Sequence, residues 1–527
     1  MNKSYVTATP GRLAASILLL IAAACTDLED EDDPGAGGSD GGSGGDTESM
    51  KDNGGGGGDG GHESDEPPIE FCPGPDMDYA PEPVDVGLDL PAVPIDVRTV
   101  EAHVVLDAAA ETAIVEATMQ FAGGAVDGYP VFDLQQEILS ADLNDEPVDP
   151  LRMGHQSLSG GSGADMRVLE KPVEACSTNL LRVEYVLDMA LIADCDQPPP
   201  LVWDTGTSVS WNFSLSDIHP ACYAEQWLPG NLIYDHVETW IDLELRNTTA
   251  PHTLVTNGAV EERSETHWFI LYPETFTSLS PMLVLRPSGD VAAHETEIAL
   301  HPNHSIALRL FKDAADPTEL ADLVPEIEAD VQSFVESTGP WVHEDVLTVI
   351  VDPDFAMEYD GAAITGLYPL QHELFHSWYG RGIKPARDTD GWVDEAWNIY
   401  WTEPGGPNPP PLGGGEPPNV LCDDNPWSRK TPLDAYDAGA RVFSTLAVIL
   451  GEEQLHEAMR QFYLDHIGGL FTTRELEQHL YCVSQDPEVT RLFHRFVYGY
   501  GDEPTEPDPG ICDDGGQTVI PRRGRRA

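Results

Sequence analysis

VIVDPDFAMEYDGAAITGLYPLQHELFHSWYGRGIKPARDTDGWVDEAWNIY, residues 349–400, decides how the rest of the chain is read. Within it His372, Glu373 and His376 stand in the order H-E-x-x-H. Residues four apart on a helix share a face, so the two imidazoles turn toward one point with Glu373 beside it. Two imidazole nitrogens and a carboxylate make a catalytic zinc site when the fourth position is left to water. Glu395, in GWVDEAW on a second helix-like run, offers that carboxylate after 18 intervening residues. The competing reading is a helix with two satisfied histidines; the motif's mechanism and its third acid weigh against it.

HELFHSWYG, followed at that spacing by WVDEAW, resembles the gluzincin zinc aminopeptidases, the family of membrane alanyl aminopeptidase and leukotriene hydrolase. Three further pieces fit in chain order. FAMEY, residues 355–359, is similar to the family's G-A-M-E-N exopeptidase motif. AYDAGARVFSTLAVILG, residues 435–451, is similar to its Y-E-K-G helix, which places a tyrosine at the zinc. EQLHEAMRQFYLDHIGGLFTTRELEQHL, residues 453–480, is similar to the helical stretch that follows. The likeness covers residues 300–500 or so and is only architectural upstream.

The resemblance implies an α+β, multidomain protein: an N-terminal antiparallel β-saddle, then a thermolysin-like catalytic domain of a small mixed sheet plus helices. It implies one zinc ion per chain, with His372, His376 and Glu395 as ligands. Zinc would acidify a water and polarise the scissile carbonyl. Glu373 would take the water's proton and pass it to the leaving amine. Tyr436 would donate to the oxyanion, or else be a packed aromatic at a helix start. Glu358, with Met357 and Ala356, would bind the substrate's amino end and fix cleavage one residue in. Asp394 would orient a ligand or cap its helix.

FAMEY departs from the family pattern: Phe355 replaces glycine, Tyr359 replaces asparagine, and the distance to His372 is short. Bulk at Phe355 could crowd the backbone contact a glycine allows. A zinc endopeptidase, or another zinc hydrolase without strict amino-end anchoring, is the alternative. A non-catalytic binding protein on a peptidase scaffold is the third reading.

The first 25 of the 527 residues read as a signal peptide. Lys3 and Arg12 form a basic start, an apolar run follows, and Ala-Ala-Ala-Cys25 ends it like a bacterial lipobox. Lipidation of Cys25 would anchor the protein to a membrane outside the cytoplasm; ordinary cleavage and secretion is the alternative. Residues 26–90 are expected to be a disordered acidic, Gly-rich tether, because their richest part cannot bury enough surface to offset ordering entropy. Residues 91–290 form the expected β domain, 291–502 the catalytic domain, and 503–527 a disordered tail. Larger family members add a β-sandwich and a long helical domain; a short form lacking the latter is expected.

Alternating strands such as VRTVEAHVVLD, TAIVEATMQF and LLRVEYVLDM support the β domain. The resemblance implies that DIHPACYAEQWLPG, residues 217–230, carries a loop reaching the substrate's amino end, with Asp217, Glu225 and Gln226 as candidates; the alternative for each is a surface polar residue. A helix is expected from about residue 317 to 337, and a buried strand in VLTVIVDP. The net charge of −65 excludes nucleic acid as a natural partner and leaves peptides as substrates. Of eight cysteines, proximity suggests the pairs Cys176–Cys195 and Cys422–Cys482.

Overall fold

Alternating burial builds the first half of the molecule. In β1 (Asp96–Asp107), Val100, Ala102, Val104 and Leu106 turn inward while their neighbours face outward. The same alternation recurs in β2 (Thr112–Ala122) and β5 (Thr178–Val186). With β3 (Ile138–Leu143), β4 (Glu146–Val148), β6 (Glu238–Arg246), β7 (Ala259–Ser264) and β8 (His267–Tyr272) they form an eight-stranded sheet, ordered β7-β8-β6-β1-β2-β5-β3-β4. It is antiparallel except for one parallel pair, β6 with β1. A four-stranded antiparallel sheet of Leu201–Asp204, Ser208–Asn212, Leu283–Pro287 and His252–Thr256 completes the wall.

This is a computed structural model. It describes residues 74–158, 165–188, 201–204, 207–402, 409–423, 425–501 and 512. The expected signal peptide, Cys25, most of the tether and most of the tail lie outside these residues. The chain from Phe71 onward is one compact unit. No helix among the described residues is long and apolar enough to cross a membrane.

The second half begins with β9 (Val291–His301) and β10 (His304–Asp313), a hairpin. It continues through β11 (Val346–Val351), β12 (Met357–Tyr359) and β13 (Ala362–Thr365) into a mixed sheet ordered β9-β10-β11-β13-β12. β11 is buried and runs parallel to both neighbours, as a continuous apolar run requires. β12, the FAMEY strand, is the edge, antiparallel to β13. Helices follow: α1 (Val324–Ser337), α2 (Leu370–Phe375), α3 (Trp392–Thr402) and α4 (Asp437–Leu450). Met357, Tyr359, Ala362 and Ile364 enter the same apolar core as Val100 and Val104 of the saddle. The two halves are therefore fused through that core.

Three expectations are corrected. The tether does not run to residue 90: from Gly74 the chain is ordered, with Met77, Tyr79, Val84, Val86 and Leu90 packed beside Trp427 and Leu470. Those apolar side chains supply burial that a Gly-rich composition cannot. The helix expected from 317 starts at Val324, with Pro325 in its first turn, while Leu320 and Leu323 lie in and just after a short 3-10 turn. Cys482 bonds to Cys512, not Cys422. Cys422 instead points its thiol at Asp390 and Thr389, 3.6 and 3.8 Å away. Cys176 is in a disulfide, and its suggested partner Cys195 lies outside the described residues.

Candidate metal centre and its cleft

Pro369 opens α2 and His376 closes it, so the H-E-x-x-H motif occupies one short helical stretch. His372 Nε2 and His376 Nε2 lie 3.1 Å apart. Glu395, from the first turn of α3, places Oε2 at 3.3 Å from the first and 3.6 Å from the second. That oxygen is buried and accepts no hydrogen bond. A buried carboxylate oxygen facing two imidazole nitrogens with no donor of its own leaves three electron pairs aimed at one place. This donor set fits a divalent zinc-like cation.

The two histidines are held from behind. Asp394 Oδ1 pairs with His376 Nδ1 at 2.6 Å. Gly380, at φ +102°, makes room for it: a Cβ there would come within 1.9 Å of Asp394 Oδ2. Asn398 Nδ2 donates to the His372 carbonyl at 2.8 Å, tying α3 to α2.

Tyr436 arrives by a close helix crossing. Gly439 of α4 faces Ala396 of α3, where a Cβ would meet the alanine's at 2.7 Å. Stacking of Trp392 on Phe443, 5.8 Å between ring centres, locks the pair. The Tyr436 hydroxyl donates to Glu395 Oε1 at 2.8 Å. It is half-buried, as is His372. Burial, reinforced by Glu395, pushes its pKa well above the usual value, so the phenol keeps its proton.

Glu373 is 5% exposed. Its carboxylate shares a cluster with Glu358 and His376, all three ligand atoms within 4.8 Å of one another. Burial, only partly offset by His376, lifts its pKa to about 8. Burial also depresses His372, with His376 adding to the effect, which leaves a neutral imidazole.

Strand alternation divides FAMEY. Glu358 points into the cleft, 3.9 Å from His376 Nδ1. Met357 and Tyr359 point into the saddle core, so the Met357 side chain is not available to substrate. Ala356 is exposed. Phe355 turns its ring against the same core, away from the crowding expected of it.

Of the three loop candidates, the structure brings only Asp217 to this cluster. Its carboxylate lies within 4.8 Å of oxygens on Glu358 and Glu395. Burial first, then Glu358, raises its pKa to about 7. A tight loop carries it: Ser216 N–H bonds to Cys222 O at 2.8 Å, and Thr431 N–H bonds to Asp217 O at 2.8 Å. Glu225 is elsewhere, paired with Arg429 in a fully buried group with Asp133. Gln226 is buried, with its carbonyl accepting from Gln136 at 2.6 Å. Arg381, which sequence reading passed over, completes the site by donating to Glu358. Its signal was a basic residue five positions after His376, in a turn flanked by two glycines.

No protein family matches the chain by sequence, and neither does any curated protein. Solved structures do match by shape. The M1 zinc metallopeptidase from Deinococcus radiodurans is 18% identical, with TM-score 0.55 over 82% of this chain and 100% of its own. Legionella pneumophila aminopeptidase A, in complex with aspartic acid, is 14% identical, with TM-score 0.56 over 79% of this chain and 51% of its own. Yeast LTA4 hydrolase in complex with bestatin is 14% identical, with TM-score 0.51 over 80% of this chain and 70% of its own. The chain therefore has the α+β fold of the M1 zinc metallopeptidases, a β domain followed by a mixed-sheet and helical half.

Proposed function

We propose that the protein is a zinc-dependent aminopeptidase that removes N-terminal residues from peptides. The observation that carries this is the convergence of His372, His376 and the donorless Oε2 of Glu395, with Glu373 and Tyr436 beside them. His372, His376 and Glu395 would hold the ion. Zinc there supplies a Lewis acid for the peptide carbonyl and makes water a nucleophile near neutral pH. Its positive charge would also draw Glu373 back toward the ionised form a base needs.

Glu373 takes the proton of the attacking water and returns it to the departing amine. The Tyr436 O–H donates a hydrogen bond to the carbonyl oxygen as negative charge develops on it. Asp394 keeps His376 in the tautomer that presents Nε2. Glu358 and Asp217, acids at the inner end of the cleft, favour a substrate's free α-ammonium.

A panel of aminoacyl fluorogenic amides, with and without a chelator, tests the reading. Turnover lost on chelation and restored by zinc is expected; turnover indifferent to chelation would sink it. One observation favours the endopeptidase alternative: Glu358 is already paired with Arg381. A peptide blocked at its amino end separates the two, since only the endopeptidase would cut it.

We propose the site residues as His372, His376 and Glu395 for zinc, Glu373 and Tyr436 for chemistry, and Glu358 for the amino end. The charge pattern and small residues before Cys25 support a lipid-anchored enzyme facing outward from the cytoplasm. Labelling with a radioactive fatty acid, lost in Cys25→Ala, tests that; a soluble unlabelled protein would show secretion instead.

A further inference from the structure

Glu395 stands in the first turn of α3, and Trp401 in its last. Trp401 lines an open pocket of about 820 Å³ with Glu452, Glu453, His456, Glu457 and Arg460 of α5 (Glu452–His466). The His456 ring meets the indole edge to face, 4.5 Å between centres, and burial lowers its pKa, so the imidazole is neutral. Arg460 pairs with Glu457 at 3.7 Å. No cation among the described residues pairs with Glu452 or Glu453, and both are exposed. Tyr400 packs against the same imidazole, 6.1 Å between ring centres. It is 5% exposed, yet its hydroxyl has no hydrogen-bond partner among the described residues. Burial first, then the charge of Glu452, raises its pKa, so the phenol lies on the acid side of the pocket.

Two unmatched carboxylates beside an indole and a neutral imidazole make a site for an organic cation. A guanidinium suits it better than an ammonium. It is planar and weakly hydrated, and it stacks on aromatic rings while pairing with carboxylates. Its N–H groups can also donate to a phenol oxygen that lacks a partner.

The chain carries such cations close by. Arg522, Arg523, Arg525 and Arg526 are four of its 27 basic residues, in a protein of net charge −65. Cys512 is bonded to Cys482 of α6 (Thr473–Ser484). The residue after Cys482, Val483, accepts from Gln454 Nε2 at 3.3 Å through its carbonyl. Gln454 belongs to the same first turn of α5 as Glu452 and Glu453. The disulfide therefore fixes Cys512 beside the helix turn that lines the pocket. Arg522 follows ten positions later, a reach of at most about 36 Å. A tether that short holds its far end at about millimolar effective concentration.

We propose that the arginine-rich segment 522–526 docks into the pocket of Trp401, His456, Glu452 and Glu453 on its own chain. Docking there fastens the segment to the end of the helix that carries Glu395.

Limited trypsin digestion of the full chain, read by mass spectrometry, tests this, because trypsin cuts after Arg522, Arg523 and Arg525 only when they leave the pocket. Two exposed ion pairs and one cation–π contact together amount to about 10-fold protection. Glu452→Gln combined with Glu453→Gln, at exposed positions that do not disturb the core, should speed release of the segment by that factor. A charge-matched control, Glu295→Gln with Glu297→Gln on the exposed side of β9, should leave the rate unchanged. A pocket variant cut no faster than wild type, or a control cut as fast as the pocket variant, overturns the docking. Protection that grows with protein concentration places the segment on a second copy and overturns the assignment to its own chain. Arg523→Lys gives a second readout, since carbodiimide joins its amine to a neighbouring carboxylate. An isopeptide bond to Glu452 or Glu453 is expected; bonds spread over acids elsewhere would refute the site.

Discussion

Asp394 Oδ1 lies 2.6 Å from His376 Nδ1, in a pocket that exists because Gly380 has no side chain. This contact fixes which imidazole nitrogen faces the metal centre. An outer partner of that kind is worth about 10- to 100-fold in metal affinity. Asp394→Asn should therefore weaken zinc binding by that factor in chelator competition, and Gly380→Ala should do the same by displacing the carboxylate. Affinity unchanged in both variants would remove Asp394 from the site.

Glu373 is a buried acid whose carboxylate lies within 4.8 Å of a His376 ring nitrogen. Glu373→Gln preserves shape and removes the base, which costs about 10²- to 10⁴-fold in kcat. Zinc content by elemental analysis should stay at wild-type level, because Glu373 is not among the three proposed ligands. Full activity in this variant would require another base.

Tyr436 donates to Glu395 and keeps its proton across the working range. Tyr436→Phe removes one donor for the oxyanion and should lower kcat by about 10²- to 10³-fold with little change in KM. A matching rise in KM with kcat intact would show a binding role instead.

Arg429 is fully buried between Asp133, 2.5 Å from its Nη1, and Glu225. Asp133 and Glu225 belong to the β half, while Arg429 comes from the segment leading to Tyr436. Removing one member of a buried charge group costs about 3–5 kcal/mol. Arg429→Ala should lower the unfolding free energy by that amount in urea titration; a loss below the scatter of the method would refute the role.

Burial works against the Asp133 carboxylate, but Arg429 and His155 outweigh it and hold its pKa down to about 2. A free aspartate titrates near pH 4, so the folded state favours the ionised form (about 3.9 unfolded). The stability this supplies is complete above the unfolded value and is lost as pH falls toward the folded one. The difference in unfolding free energy between wild type and Asp133→Asn should shrink as pH falls from about 5 to about 2. A constant difference across that window would contradict it.

The sequence by itself determined the elements whose cause is local. The i, i+4 spacing of His372 and His376 is a property of the helix, so their common direction followed from five letters. Alternation in VRTVEAHVVLD and the apolar run in VLTVIVDP likewise announced a half-buried and a fully buried strand. Glu395 and Tyr436 were legible only because fixed patterns surround them. Tertiary structure decided what depends on approach from distant segments. Asp217, Glu225 and Gln226 are equivalent polar residues in one loop until the loop is seen pinned by Thr431, which sends Asp217 to Glu358 and Glu225 to Arg429. Arg381 and Glu358 are 23 residues apart, and their pairing depends on an edge strand meeting a glycine-flanked turn. The bond of Cys482 to Cys512 has the same origin: proximity in space, set by packing, overrode proximity guessed along the chain.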